Sequence, residues 1–247
     1  MHNILTIAKR EYDLYFSSPV AYAVAFVILG VLGIFFFLNM QVAMVQQGYI
    51  PGVDITIVPL ATMLILVTPA VTTRLLAEER RLGTIELLLT APVRDWELVV
   101  GKWLGGFLLL VTINIITLVF PITLNQFIDP GIDQGPLISG YLGIILLSAS
   151  LVAVGVFISS LFSNQIAAFV TTLGVMVFLW WVMPPIAQVA GPVGAGSELL
   201  GYLDYSGHFV NTLVRGIIDL QDVVYYLSLT ALGLFFGTMS VEIRRWG

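Results

Sequence analysis

A segment near residue 80 brings together charged residues of both signs. Its charged and turn-forming residues are Glu78, Glu79, Arg80, Arg81 and Gly83. Closely spaced charges of both signs can orient a partner surface without supplying catalytic groups. The segment therefore offers charges of both signs to a surface next to it.

A short helix is predicted directly after these charges. Thr84 can cap its N-terminus, Glu86 lies in its first turn, where negative charge is favourable, and Pro92 ends it. Its apolar residues recur at i, i+3 and i+4: Ile85, Leu88 and Leu89. Because helix nucleation is costly, a helix of about two turns is not stable alone. It needs a partner surface, which from the residues alone is either the membrane or another protein.

Catalytic and metal-binding chemistry has few candidate residues. The chain has no cysteine, which excludes disulfides, thiolate metal sites and cysteine nucleophiles. His2 and His208 are far apart in the sequence, and no G-x-x-x-x-G-K-[ST] phosphate-binding loop occurs. Gly101 and Lys102 do not form such a loop, since the upstream glycine and the following hydroxyl are missing. We therefore expect no enzyme activity, metal or cofactor in this chain.

The composition predicts an all-α integral membrane protein. Over 247 residues the hydrophobic fraction is 58%, the charged fraction is 10%, and the mean hydropathy is +0.99. A soluble domain carries about 25% charged residues. The net charge of −5 predicts little about partners, because the acidic residues lie mostly in loops. We expect one membrane domain over residues 1–247.

Six spans are predicted from the runs without formal charge, each of which needs about 20 mostly apolar residues. The uncharged run 134–197 is long enough for two spans, and Ser163, Asn164 and Gln165 mark the turn between them. The predicted spans are 20–40, 55–77, 99–122, 138–162, 166–183 and 223–242. A second possibility is one span plus a re-entrant piece over 134–197, which would move the C-terminus to the other side.

The basic residues predict the orientation, because they concentrate on the cytoplasmic side of membrane proteins. Nine fall on one side of the six-span arrangement: Lys9, Arg10, Arg74, Arg80, Arg81, Arg94, Lys102, Arg244 and Arg245. Arg215 alone falls opposite. Both termini are therefore expected on the cytoplasmic side of a prokaryotic plasma (inner) membrane. We expect Lys9, Arg10, Lys102 and Trp103 to anchor the chain at the cytoplasmic interface, with the Lys102 side chain reaching toward water.

Two segments outside the spans are also expected to be helical. Residues 1–18 predict an interfacial helix that Ser18 and Pro19 end. Glu11 projects from its apolar sector, so we expect this carboxylate to reach water or to pair with a basic neighbour close in sequence.

The outer segment 197–221 repeats apolar pairs every four residues, which predicts an amphipathic or re-entrant helix. Arg215, Gly216 and Asp219 belong to it. The residues leave open whether this helix caps the bundle or closes a substrate pathway.

The string from Glu79 to Val93, followed by Gly101 and Lys102, resembles the coupling-helix signature of ABC-2 type transporter permeases. Lys9-Arg10-Glu11 with Ser18-Pro19, and Arg215 to Asp219 leading into Asp222 to Tyr226, resemble the gliding-motility type of that family. Together these similarities extend over the whole chain.

The resemblance implies that the loop 78–97, through the helix at 84–91, sits in a groove on a separate ATPase subunit. That subunit would hold ATP and magnesium. It also implies a second permease protomer, identical or related, a direction of export, and room for an additional membrane or extracytoplasmic subunit. The chain is expected to contact membrane lipid and no nucleic acid.

Two other classes of function remain open from the residues. A secondary transporter or channel would place ionisable residues at mid-membrane, and the predicted spans contain none there. An anchoring or structural subunit of a motility or envelope machine could use the same fold. An ATPase encoded beside the gene would favour an ATP-driven transporter over both of these classes.

Overall fold

The computed structural model describes residues 2–46, 49–81, 83, 93–189 and 201–245. Within these ranges six helical segments are long and apolar enough to cross a membrane, and we call them spans 1 to 6. Their bounds are Pro19–Val45, Asp54–Arg81, Asp95–Phe127, Gln134–Leu161, Gln165–Ala187 and Leu220–Ile243. Each overlaps a span predicted from hydropathy, and the chain is a multi-pass, all-helical membrane protein.

Several spans consist of more than one helix. The α-helices of the described ranges are α1 (His2–Ser17), α2 (Pro19–Val45), α3 (Asp54–Thr72), α4 (Ala77–Arg81), α5 (Asp95–Thr117), α6 (Val119–Phe127), α7 (Gln134–Leu161), α8 (Gln165–Val177), α9 (Met183–Val189), α10 (Gly207–Val210) and α11 (Leu220–Arg245). A π-helical segment, Phe178–Val182, joins α8 to α9. Span 2 comprises α3 and α4, and span 3 comprises α5 and α6.

Two of the breaks between helices lie where the residues predict them. The Ser18 side chain accepts a hydrogen bond from the Val20 amide, and Pro19 is the first residue of α2. The Asn164 side chain accepts hydrogen bonds from the first amides of α8. The turn predicted at Ser163 to Gln165 is therefore confirmed.

Span 4 is the central helix of the bundle. It contacts spans 2, 3, 5 and 6. In the apolar 18-residue stretch of span 4, 78% of the residues are buried, against 22% in the corresponding stretch of span 1. Polar side chains link it to its neighbours: Asn114 Nδ2 donates to Ser148 Oγ over 3.1 Å, and the amide of Ala77 donates to Ser159 Oγ over 3.0 Å. Such interhelical hydrogen bonds are typical of packed membrane helices.

The bundle has two ends. Spans 1, 3 and 5 begin, and spans 2, 4 and 6 end, at the end of the bundle that carries α1. We call it the loop end because the connection between spans 2 and 3 belongs to it. We call the opposite end, where the connection 201–219 lies, the distal end.

The continuous outer helix predicted from the apolar pairs is wrong in its extent. The described part of that connection forms α10 and a 3-10 helix, Leu213–Arg215, and the helical turn ends at Gly216, whose φ is +90°. A left-handed residue of this kind ends a helix. As a result Phe209 and Leu213 are buried against span 4, whereas Ile217 is exposed.

Candidate functional site

Helix α1 lies tightly against the start of span 3 because two glycines leave room for it. A Cβ atom at Gly101 would lie 2.8 Å from the Ile7 Cβ, and one at Gly105 would lie 2.6 Å from the Glu11 Cβ. The spacing of these glycines is that of the small-xxx-small pattern, which lets helix backbones approach closely. The N-terminal helix is therefore packed against the bundle along one face, while Leu5 remains exposed on another.

A buried charge cluster lies at this junction and joins α1, span 2 and span 3. The ammonium of Lys102 donates to Glu11 Oε1 over 2.8 Å and to Glu79 Oε1 over 2.7 Å. The Lys102 side chain is 1% exposed, and Glu11 is buried as well. A buried charge is stable only when it is paired, so each group of the cluster depends on the others.

This cluster corrects two predictions. Lys102 does not reach toward water, because α1 covers it and two carboxylates surround its ammonium. Glu11 does pair with a basic residue, but with one 91 positions away rather than a neighbour close in sequence. Both corrections have one cause, the packing of α1 on span 3.

Further contacts attach α1 to the loop end of span 2. The Tyr15 hydroxyl donates to the Val71 carbonyl over 2.8 Å. Burial, and then the nearby Glu11 carboxylate, raise the pKa of Tyr15, which keeps this hydroxyl protonated as a donor. Arg74 donates to Ser18 Oγ over 3.3 Å and pairs with Glu78. The end of α1 is thus joined to span 2 at Tyr15 and at Ser18, both just before Pro19.

The start of span 3 is attached to α1 as well. Glu97 Oε2 accepts hydrogen bonds from the Asn3 side chain over 3.2 Å and from the Arg94 amide over 3.1 Å. The second bond satisfies one of the amides that a helix N-terminus leaves without a partner. Both flanks of residues 82–93 are therefore linked to α1: Glu97 contacts Asn3 directly, and Glu79 is linked to Glu11 through Lys102.

The structure describes five of the residues predicted to contact a partner. Glu78, Glu79 and Arg80 are half-buried in or near the junction, and Arg81 is exposed. Gly83, whose φ is +70°, follows α4, and its amide donates to the Arg80 carbonyl over 3.2 Å. The remaining predicted contact residues lie outside the described residues: Thr84, Ile85, Glu86, Leu88, Leu89 and Pro92.

The other predicted interface residues have different surroundings. Lys9 and Arg10 are exposed on α1, as an anchor at an interface requires. The Trp103 indole donates to the Ala149 carbonyl over 2.9 Å and so ties span 3 to span 4.

A second polar cluster, missed in the sequence, lies at the distal end. His208 Nδ1 is 2.6 Å from Asp222 Oδ1, and the His208 ring stacks on Tyr225 with centroids 4.2 Å apart. The Tyr205 hydroxyl is 2.7 Å from Ser150 Oγ, and burial raises its pKa. These contacts attach the connection 201–216 to spans 4 and 6. Arg215 and Asp219 are exposed beside it.

The polar contacts at the loop end join several helices. Among the described residues no group of three metal-ligating side chains comes together. The charge cluster and the Glu97 contacts instead connect the two flanks of residues 82–93 to one rigid helix.

Two comparisons with known proteins found sequences similar to this chain. The family described as "ABC-2 family transporter protein" matches residues 38–203, a range that contains the segment 82–93 and Lys102. The probable multidrug ABC transporter permease YbhR of Escherichia coli strain K12 is 31% identical over 152 residues. The corresponding protein of Escherichia coli O157:H7 gives the same values. The alignment covers 60% of this chain and 39% of that relative, so it spans less than half of the relative's length. The extent of the family match shows that the chain belongs to the ABC-2 family of transporter proteins.

Proposed function

We propose that this chain is the permease subunit of an ATP-driven exporter and that residues 82–93 receive movement from a separate ATPase subunit. The observation that carries the proposal is that both flanks of this segment are linked to α1. Glu97 accepts a hydrogen bond from Asn3 of α1 directly, whereas Glu79 is linked through Lys102, which also binds Glu11 of α1. A segment that only connected two spans would not need a shared support.

The proposed coupling uses the charge cluster as its joint. Closure of two ATPase subunits would push on the segment and displace α4 and the start of span 3. Because Lys102 is bound to both Glu11 and Glu79, α1 would move with span 2 and span 3 as one unit. Rigid groups of helices that move together are a common way to transmit a change between sites.

The proposed assembly contains two permease protomers and two ATPase subunits in a prokaryotic plasma membrane. The loop end, which holds nine of the basic residues, would face the cytoplasm, and so would both termini. ATP and magnesium would bind to the ATPase, since this chain has no phosphate-binding loop.

Affinity purification of the full chain with its native partners tests the proposal. The tagged chain is extracted in mild detergent, and its associated subunits are identified and counted by mass spectrometry. We expect an ABC ATPase in a 1:1 ratio with the permease. Recovery of the chain with envelope or motility proteins and without an ATPase would favour the anchoring function and contradict the proposal.

A further inference from the structure

Two adjoining cavities lie at the distal end, among segments that the proposed coupling does not use. The first, which we call the aromatic cavity, has a volume of about 590 Å³ and is lined by residues such as Phe36, Met40 and Phe127. The second, the charged cavity, has a volume of about 510 Å³ and contains Asp54, Asp133 and Arg215. Both volumes lie within the range of ligand sites.

The two cavities lie side by side. Ile50, Pro51 and Ile128 line both of them. One cavity therefore offers an apolar wall and the other offers charges, so an occupant that fits both must be amphiphilic.

The aromatic cavity suits a flexible hydrocarbon chain. Its wall is formed by aromatic and methionine side chains of span 1 and span 3: Phe36, Phe37, Met40, Met44 and Phe127. Methionine adapts its shape to irregular apolar partners, and aromatic rings bury large areas against them. Phe37 and Met44 of this wall are also exposed on the surface of the bundle.

The charged cavity has both signs of charge. Asp54 and Asp133 line it, and Asp129 lies on the neighbouring wall of the aromatic cavity. Arg215 also lines the charged cavity, and within the described residues its guanidinium forms no ion pair or hydrogen bond. The carboxylates would repel a simple anion, and Arg215 would repel a simple cation. A head group that carries both an ammonium and a phosphate matches both.

The order of the two cavities along the membrane normal also matches a lipid. Asp54 begins span 2 and Asp133 caps span 4, which places them at the level of head groups. Phe37 lies eight residues inside the end of α2, or about 12 Å toward the bilayer centre at 1.5 Å per residue. A lipid acyl chain that extends inward from a head group at this level would run along the wall of the aromatic cavity.

We propose that the two cavities together bind an aminophospholipid, with its acyl chain in the aromatic cavity and its phosphoethanolamine head in the charged cavity. The ammonium lies near Asp54 and Asp133, and the phosphate lies near Arg215. This site is separate from the loop end, and its binding needs no ATPase. It therefore stands or falls independently of the proposed export function.

Native mass spectrometry of the purified full chain tests this site with three lipids that differ only in their heads. Dioleoyl phosphatidylethanolamine is expected to bind most tightly, because its ammonium can donate hydrogen bonds to the carboxylates. Dioleoyl phosphatidylcholine lacks these donors and dioleoyl phosphatidylglycerol lacks the cation, so both are expected to bind more weakly. Equal binding of all three, or a preference for the glycerol lipid, would overturn the proposal.

Two pairs of variants locate the binding. Asp54→Asn combined with Asp133→Asn removes both charges, while asparagine keeps the cap of span 4. We expect phosphatidylethanolamine to bind about tenfold more weakly, the effect of about 1.4 kcal/mol. Asp219→Asn, an exposed carboxylate that lines neither cavity, is the matched control and should leave affinity unchanged.

Ala43→Phe fills the aromatic cavity and should weaken binding of the lipid to a similar degree. Ala23→Phe makes the same change at an exposed position of the same span away from the cavity, and it should have no effect. If Ala43→Phe instead disrupts a dimer while lipid affinity stays the same, the groove is a contact between copies of the chain and the proposal is wrong.

Discussion

Lys102 of span 3 and Glu11 of the N-terminal helix form a buried ion pair of 2.8 Å, although 91 positions separate them in the sequence. Glu79 at the end of span 2 binds the same ammonium. The sequence predicts the N-terminal helix only as interfacial. Through this ion pair the helix is a structural part of the membrane bundle.

Replacement of Lys102 by methionine should destabilise the chain strongly. The change leaves Glu11 and Glu79 buried without their common cation, and the loss of one partner from a buried pair costs about 3–5 kcal/mol. The measurement is thermal unfolding of the chain in detergent. Lys9→Met, which removes an exposed lysine from α1, is the control and should shift the midpoint little.

A triple variant separates charge from packing at this junction. Glu11→Gln and Glu79→Gln, added to Lys102→Met, remove the uncompensated charges and should restore part of the lost stability. If the triple variant is no more stable than Lys102→Met alone, the ion contacts do not explain the loss.

Gly105→Ala should separate α1 from span 3. The added Cβ would lie 2.6 Å from the Glu11 Cβ and 3.1 Å from the Ala8 carbonyl oxygen, so the helices must move apart. Gly33→Ala in span 1 meets nothing within 4 Å and serves as the control. On helix propensity alone both changes would be favourable by about 1 kcal/mol. We expect Gly33→Ala to match or exceed the wild type in thermal unfolding and Gly105→Ala to fall below it; equal behaviour of the two would contradict the close packing.

Asp222→Asn should loosen the distal connection. The change removes the charge that His208 contacts over 2.6 Å, and hydrogen bonds to charged groups contribute about 1.5–3 kcal/mol. Limited proteolysis between residues 201 and 219 should become faster. Asp219→Asn keeps an exposed side chain that can still accept from the Gln221 amide, and it should leave the cleavage rate unchanged. Faster cleavage of both variants would rule out a specific role for the His208 contact.

Labelling of intact cells with a membrane-impermeant maleimide tests the orientation. The chain has no cysteine, so each introduced thiol is the only one present. Ile218→Cys lies at the distal end and is about half exposed, and we expect it to be labelled. Arg81→Cys lies at the loop end and should react only after the cells are permeabilised. The reverse pattern would invert the proposed topology.

The sequence predicts the spans well because a single physical requirement dominates within a bilayer. Long apolar runs must be helical in a bilayer, where every backbone polar group needs an internal partner. The partner of Glu11 could not be identified in the same way, because an apolar sector on α1 does not say which surface it packs against. The glycines at positions 101 and 105 were the available signal, since their spacing marks a close helix contact.

The distal connection shows the limit of a periodic pattern. The apolar pairs at 209–210, 213–214 and 217–218 have the spacing of one helix face, but Gly216 turns the chain between the second and third pairs. The contact of His208 with Asp222 depends on that turn and on the return of the chain into span 6. Asp222 belongs to a string that resembles the family, but nothing in that string links it to His208, so the pair is evident only in three dimensions.

The most direct test of the proposed coupling is the ATPase rate of the purified complex in nanodiscs. The double variant Glu86→Ala with Leu88→Ala changes the segment between the two attached flanks, and Leu220→Ala with Asp219→Ala changes the distal end as a control. We predict that the segment variant inserts normally but loses the effect of the permease on ATP hydrolysis, whereas the distal variant keeps it. An unchanged ATPase rate in the segment variant would contradict the assignment of residues 82–93 as the coupling element.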